Sequence, residues 1–482
     1  MLLNAVLLLV LIVLGTAEAT LVHTTARRSI DLGTHGSRVV REQLRVRVQN
    51  TGTESVAEYR FVVPSARASK LAWIAAETVG DSASAEKQRL AVVPGPHDGS
   101  SFSFQLSPPL APGAATTLDI NQVYMDDLVA RPAAITQGEP QRLEFRGSLV
   151  ADVAQLPYAT RELEVVVNLP LAIPPISHST APIKPTVSYN TLTYGPITDL
   201  RAVGDAPLVV HFDSPKSGLV VDTWQRQVWV RYGGSAVEVE EAVKVVHDGA
   251  RLKGHFSRVD YVYNQHTQHL SQVIPKLPLP IPHSAHSVYY YDTIGNVSTS
   301  TVVDDPRLPA MKMLHLQPRY PLVGGWEYSW THGYGLPGTD MVQPSSNGQS
   351  EVHVPLVHLI PGVAVRSLEL RVVLPEGARD ISVHDSVTGA ALDDFSVDTT
   401  WYYLDTTGRP TVVIRRTNVV DEAAATVLVV RYSRSAFAAA QKPLAVVAAI
   451  AVLVAVRWVV SLVDLSVGPT MKGRKTVAVS RR

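Results

Sequence analysis

Apolar and polar residues alternate with a period of two at many points along this chain. Leu44, Val46 and Val48 alternate with Gln43, Arg45 and Arg47, and Leu163, Val165 and Val167 alternate with Glu162 and Glu164. Leu368, Leu370, Val372 and Leu374 repeat the pattern, and Val427 and Val429 precede Arg431 in the last such run. Successive side chains of a strand point to opposite faces, so this spacing predicts half-buried strands in antiparallel sheets. Turn-forming residues punctuate the runs at Asn50-Thr51-Gly52, Asp248-Gly249, Pro375-Glu376-Gly377 and Thr407-Gly408. No sustained helical period appears before Leu444.

A proline-rich stretch from Pro170 to Pro196 breaks the alternation. Proline has no N–H to give to a ladder, so this stretch is expected as edge, loop or linker. It closes a first β domain over residues 20–215, and a second β domain is expected over 225–440. Within the second, Leu277-Pro278-Leu279-Pro280-Ile281-Pro282 reads as an extended, polyproline-like connection. Arg41-Glu42-Gln43-Leu44 leads to a turn at Asn50 to Gly52, and Val239-Glu240-Glu241-Ala242-Val243 leads to one at Asp248-Gly249. An internal duplication and shared strand chemistry both account for that likeness.

Two apolar stretches stand apart from the β pattern. Leu7 to Leu14 is continuously apolar and Ala17-Glu18-Ala19 follows it, which predicts a signal peptide over residues 1–19 cut between Ala19 and Thr20. Its apolar core is too short to cross ~30 Å of hydrocarbon. Leu444 to Val463 is apolar apart from Arg457 and Ser461, the length a spanning helix needs. A core helix would show a polar face, and none exists from Leu444 to Val456. A single transmembrane helix is therefore expected over 443–463, with Arg457 near enough to its end to snorkel to the headgroups. Lys472, Arg474, Lys475, Arg481 and Arg482 make residues 464–482 a short basic tail, and basic residues prefer the cytosol. The predicted fold is thus mainly β: two luminal antiparallel β-sandwich-like domains followed by one transmembrane α-helix, in a single-pass type I topology.

Composition adds exclusions. Of 482 residues 43 are basic and 43 acidic, so no global charge draws the chain to nucleic acid. There is no cysteine, which removes disulfides, thiolate metal sites and a cysteine nucleophile. His266-x-x-His269 and His283-x-x-His286 have the spacing of paired ligands on a helix, but Pro278, Pro280 and Pro282 oppose a helix and no acidic ligand accompanies them. On a strand, residues three apart face opposite ways, so no metal site is expected. The adjacent pairs Asp126-Asp127 and Asp304-Asp305 read as surface or turn residues rather than an acid and base. There is no G-x-S-x-G, no phosphate-cradling glycine loop and no H-E-x-x-H, so neither a catalytic centre nor a cofactor is expected. Trp326, Tyr328, Trp330 and Tyr334, interleaved with Gly324, Gly325, Gly333 and Gly335, make either a buried aromatic corner or a binding edge. Asn296-Val297-Ser298 is the one N-x-S/T sequon, and the expected topology places Asn296 on the luminal side as a glycan acceptor.

Longer segments resemble the ribophorin I family, subunit 1 of the oligosaccharyltransferase complex. They are Leu252 to Arg258 (LKGHFSR), Tyr289 to Ser300 (YYYDTIGNVSTS), Pro318 to Trp326 (PRYPLVGGW), Leu374 to Ala378 (LPEGA), Leu404 to Pro410 (LDTTGRP) and Pro443 to Ala449 (PLAVVAA). The first domain matches more thinly, at Ile135-Thr136-Gln137 and Tyr194-Gly195-Pro196. The resemblance implies an endoplasmic reticulum membrane protein, not itself an enzyme, that is a non-catalytic subunit in protein N-linked glycosylation. Its complex moves a preassembled oligosaccharide from dolichyl diphosphate to Asn of N-x-S/T. It implies as partners the other subunits, including the catalytic one, nascent polypeptides and, as a further neighbour, the translocon. Animal members carry a long cytosolic domain after the span, associated with ribosome contact; this sequence ends 19 residues beyond Val463, so ribosome docking is not expected. A stand-alone type I receptor or adhesion protein is the alternative.

Overall fold

The computed structural model describes residues 21–463 except 34–37, 81–86, 96–98, 171–173, 215–217, 232–233, 265–272, 345–348 and positions 307, 361, 388, 404 and 425. The expected signal peptide with its Ala19–Thr20 cleavage point, the pair His266 and His269, and the basic tail lie outside the described residues.

Two β units follow one another. The main sheet of the first runs, edge to edge, through Thr186–Ser188, Thr191–Ile197, Leu163–Asn168, Leu21–Leu32, Val40–Asn50, Ala115–Tyr124, Leu71–Val79 and Gln88–Arg89. That of the second runs through Ser396–Thr400, Arg409–Val419, Ala364–Val373, Leu219–Val230, Ala236–His247, Glu327–Pro337 and His286–Asp292. Smaller sheets cover one face of each. In the first unit Tyr59, Phe61, Phe104, Phe145 and Phe212 from the covering strands pack on Val46, Ile120 and Val165 of the main sheet. In the second, Leu279, Leu314, Val352 and Val430 pack on Trp224, Val239, Trp330 and Leu370. Burying such side chains away from water is the main driving force that holds each unit together.

The two main sheets follow the same path. Leu21–Leu32 and Leu219–Val230 are both 12 residues long, and both carry a bulge after their third residue, past His23 and past Val221. The bulge shifts the alternation by one, so that the remainder of each strand aims every second side chain at the core. Each strand then pairs antiparallel with the next strand in sequence and parallel with a later one, Arg28 opposite Val165 and Arg226 opposite Leu370. The sheets are therefore antiparallel except beside this strand, where the first sheet adds a short second parallel ladder, Val22 opposite Ala159. Val40–Asn50 and Ala236–His247, whose sequences hinted at duplication, occupy the same place in the two sheets.

Two proline-rich segments take up more sheet than expected. Leu277–Pro282 is an edge strand paired with Met311–Leu316, not a connection. Its prolines sit at every second position, so all three missing N–H groups fall on the free edge while Leu277, Leu279 and Ile281 are buried. Thr191–Ile197, inside the Pro170–Pro196 stretch, is an interior strand paired on both sides. Pro196 sits beside a register shift opposite Leu163 and Val165, where a ladder hydrogen bond is already interrupted.

The units are joined by more than chain continuity. Val39, Val123, Met125, Val220, Ala364 and Val420 form a small apolar cluster drawn from both. Arg38, 8% exposed, donates to the carbonyls of Leu128 in its own unit and Asp248 in the other. Arg366 bonds Asp126 at 3.1 Å, and Arg41 bonds Glu422 at 2.7 Å. Ala134–Ile135 adds a two-residue parallel ladder to Arg251–Leu252. Beyond the second unit, Ala436–Leu462 is a 27-residue helix. Its Ala440–Leu462 portion is long and apolar enough to cross a membrane, and from Pro443 onward it is exposed.

Candidate functional site

The candidate chemistry disperses in three dimensions. His283 faces Asp304 across 3.8 Å with both side chains exposed, while His286 lies against Gly335 on a neighbouring strand. Among the described residues no group of three or more His, Asp or Glu is arranged to hold a metal. Asp126 and Asp127 point apart: Asp126 reaches Arg366 across the joint, and Asp127 is buried against Arg67 and Lys70. Tyr328, Trp330 and Tyr334 are buried, so the aromatic cluster is a core corner. Trp326, half-buried, meets Phe256 at a tilt and Tyr320 edge-on, with ring centres 5.7 Å apart in each pair.

Each unit instead buries a charge network that sequence reading missed. In the first, Arg28 donates to Glu42 at 2.9 and 3.0 Å and to the Ser148 carbonyl at 2.7 Å, and it pairs with Asp152. Arg67 joins the same carboxylates and Asp127, and its guanidinium lies 3.7 Å over the Tyr124 ring. Burial alone would raise the Glu42 carboxyl, but Arg28 and Arg67 outweigh it and hold the group below its usual value. In the second unit Arg226, at the matching place in the opening strand, pairs with Glu241, which also accepts from Trp224 Nε1 at 2.8 Å. Guanidinium groups hold Glu42 and Glu241 charged, which suits them to tie strands together rather than to exchange protons, while at Asp152 burial outweighs the cations and raises the carboxyl. Their partners come from strands and turns far apart in sequence, so no local spacing announces them.

The segments that carry the family resemblance meet in space. Ile135 pairs with Leu252, and the Ile135 carbonyl accepts from the Lys253 N–H at 2.7 Å. Gln137 makes two hydrogen bonds to the backbone of Ser257, at 2.9 and 3.0 Å. The Leu252 N–H donates in turn to the Gly324 carbonyl at 3.2 Å. A Cβ on Gly324 would sit 1.7 Å from the Ala250 carbonyl oxygen, an approach only glycine permits. Around this knot Arg251, His255, Phe256 and Trp326 line a cleft of about 560 Å³. Arg319 then ties the segment to the sequon loop, donating to Asp292 at 2.5 Å and to the carbonyls of Gly295 and Asn296 at 3.1 and 3.2 Å. Asp292 also accepts from the Ile294 and Gly295 N–H groups, and these bonds, Arg319 foremost, hold its carboxyl at about 2. Asn296 is exposed, on a loop whose backbone is pinned from below.

The remaining segments form a clamp where the β body meets the apolar helix. Leu374 to Ala378 and Thr406 to Pro410 lie side by side, and Glu376, 2% exposed, accepts four hydrogen bonds from the backbone and hydroxyls of Thr406 and Thr407 at 2.6–2.9 Å. Burial pushes its carboxyl up, but those donors win and hold it at about 2. Asp405, whose side chain is fully buried, accepts from the Tyr402 N–H at 2.8 Å, from Arg409 at 3.2 Å and from Lys442 of the helix at 2.5 Å. Gln441, also on the helix, donates to the Thr406 hydroxyl at 2.7 Å. Gly377 has φ +82°, and a Cβ there would lie 2.5 Å from that of Ala438. Ser435 caps the helix by accepting from the Ala438 N–H at 3.1 Å. The helix is thus bolted to the β body through its first two turns.

Comparison with known proteins places these segments in a family. A profile described as Ribophorin I matches residues 21–461. An Arabidopsis thaliana protein named dolichyl-diphosphooligosaccharide–protein glycosyltransferase subunit 1A is 33% identical over 86% of this chain and 66% of its own length. Subunit 1B of the same plant is 30% identical over 82% of this chain and 83% of its own length. Subunit 1 of Caenorhabditis elegans is 28% identical, over 80% of this chain and 63% of its own. The chain spans about two thirds of the length of the first of these relatives, 66%. Matched from the first described strand to the end of the apolar helix, with its segments knotted at the joint and clamped at the helix, this chain belongs to the ribophorin I family.

Proposed function

We propose that this chain is a non-catalytic subunit of an oligosaccharyltransferase complex in the endoplasmic reticulum membrane. In that reading it supports transfer of a preassembled oligosaccharide from dolichyl diphosphate to Asn of N-x-S/T in nascent proteins. The observation that carries the reading is the family match over residues 21–461, to relatives whose names make them subunits of that glycosyltransferase. The helix crosses the membrane once, the two β units lie in the lumen, and Asn296 and the Thr20 terminus lie with them. The chain contributes rigidity. Its joint and clamp fix a large β surface relative to one membrane helix, which suits a scaffold that docks other subunits and presents acceptor segments.

The test is a transfer assay. The purified chain alone, given lipid-linked oligosaccharide and an N-x-T peptide, is expected to transfer nothing, while its depletion from cells lowers glycosylation of reporter proteins. Asp304→Asn together with Asp305→Asn, introduced into the assembled complex, is expected to leave the transfer rate within a few-fold of the parent. A catalytic acid or base would cost ~10²–10⁴-fold. Loss of transfer on that scale with assembly intact would make this chain part of the active site and overturn the reading.

A further inference from the structure

The strongest unassigned feature is a run of three exposed aromatic residues beside the clamp. Trp401 is 63% exposed, Tyr402 49% and Tyr403 80%. Exposed aromatics standing in a row are costly to leave in water and mark a contact. The loop is not loose. The Asp405 N–H donates to the Tyr402 carbonyl at 3.0 Å, and the Tyr402 N–H donates back to the Asp405 carboxylate at 2.8 Å. Tyr402 leans on Trp229 at 5.5 Å between ring centres, with the Arg409 guanidinium 5.3 Å from its own. Trp401 lays one side of its indole against Gly408 and leaves the rest exposed, and Tyr403 is the most exposed of the three.

The height of the loop follows from Asp405. Its carboxylate holds the Lys442 ammonium at 2.5 Å, and Lys442 lies two residues before Leu444, where the apolar stretch begins. An ammonium at the end of a spanning helix sits at the boundary between hydrocarbon and headgroups. Tyr403 is two residues from Asp405 along the chain, so its backbone lies within ~7 Å of the Asp405 Cα and, through the Asp405 side chain, within roughly 13 Å of the Lys442 ammonium, a distance that its own ring can shorten. The headgroup layer on each side of the hydrocarbon is itself roughly 5–8 Å thick. Tryptophan and tyrosine favour this layer because one end of each ring is apolar and the other carries a hydrogen-bonding group.

We propose that Trp401 and Tyr403 insert into the headgroup layer of the bilayer that the helix crosses, as a second membrane contact of the β body. Together with the helix they give the body two points of support, and so set its tilt on the membrane surface. The proposal rests on reading 440–462 as a membrane span, and the experiment separates the two. The chain has no cysteine, so single cysteines report one position each. Tyr403→Cys, Leu453→Cys in the helix and Val93→Cys, an exposed site in the first unit, are labelled with an environment-sensitive fluorophore in the full chain in phosphatidylcholine nanodiscs. The expected result is that nitroxide carried on the lipid quenches the probes at 403 and 453 and leaves that at 93 bright, whereas aqueous iodide does the reverse. A 403 probe quenched by iodide like the 93 probe, with 453 quenched by lipid, overturns the anchor and keeps the span. A 403 probe reached by neither quencher means the loop is covered by protein, and overturns the lipid proposal. A 453 probe untouched by lipid overturns both.

Discussion

Glu376 keeps its charge in a place where burial works against it, because Thr406 and Thr407 aim four donors at one oxygen. A carboxyl held at about 2, against about 4.5 in an open chain, favours the folded state above pH 4.5, and that contribution fades as pH falls toward 2. By linkage the stabilisation is of order 3 kcal/mol at neutral pH. Glu376→Gln is therefore expected to lower the thermal midpoint of the detergent-solubilised chain at pH 7. The gap to the parent should narrow as the measurement moves from pH 4.5 toward 2. At the other pinned loop, Asn296 is exposed while Arg319 holds its carbonyl and Asp292 holds the Ile294 and Gly295 N–H groups just before it. Expressed in cells, the chain should lose one glycan's mass on glycosidase treatment, and Asn296→Gln should abolish that shift. An unshifted parent would mean that the acceptor is unused.

At the scale of elements, alternation located most of what the structure contains. Val40–Asn50 and Ala364–Val373 are strands where Leu44 and Leu368 said they would be, because one face of each is buried and the period of two survives. Proline misled where composition was read without register: Pro278, Pro280 and Pro282 suggested a connection, yet at every second position on an edge they cost the ladder nothing. The parallel ladders were illegible, since a parallel partner far along the chain leaves no local mark. In the apolar helix Ala448, Ala451 and Ala455 are exposed and, spaced three and four apart, form a strip of small side chains against which another helix can approach closely. Ala448→Leu with Ala451→Leu should therefore release the chain from the proposed complex while leaving the β body folded. Co-purification and circular dichroism of the same variant check the two halves of that statement.

Across the whole molecule, the sequence supplied the segments but not their meeting. Ile135 to Gln137, Leu252 to Ser257 and Pro318 to Trp326 read as separate motifs, and the structure knots them at the joint of the two units. Arg38, Arg41 and Arg366 secure the same joint through partners as much as 381 residues away, which no periodicity can reveal. Glu376 and Asp405 lay inside quoted segments, so a buried-acid role at the helix clamp could have been suspected from two acids in short glycine-bearing turns. Clamp and joint together tie the two β units and the apolar helix to one another, the property the proposed scaffold requires. The most direct measurement is to purify the tagged chain from membranes in mild detergent and identify what comes with it by mass spectrometry. A scaffold subunit should bring with it the catalytic glycosyltransferase subunit and its companions in stoichiometric amount. A chain recovered alone, or with unrelated surface proteins, would contradict that role.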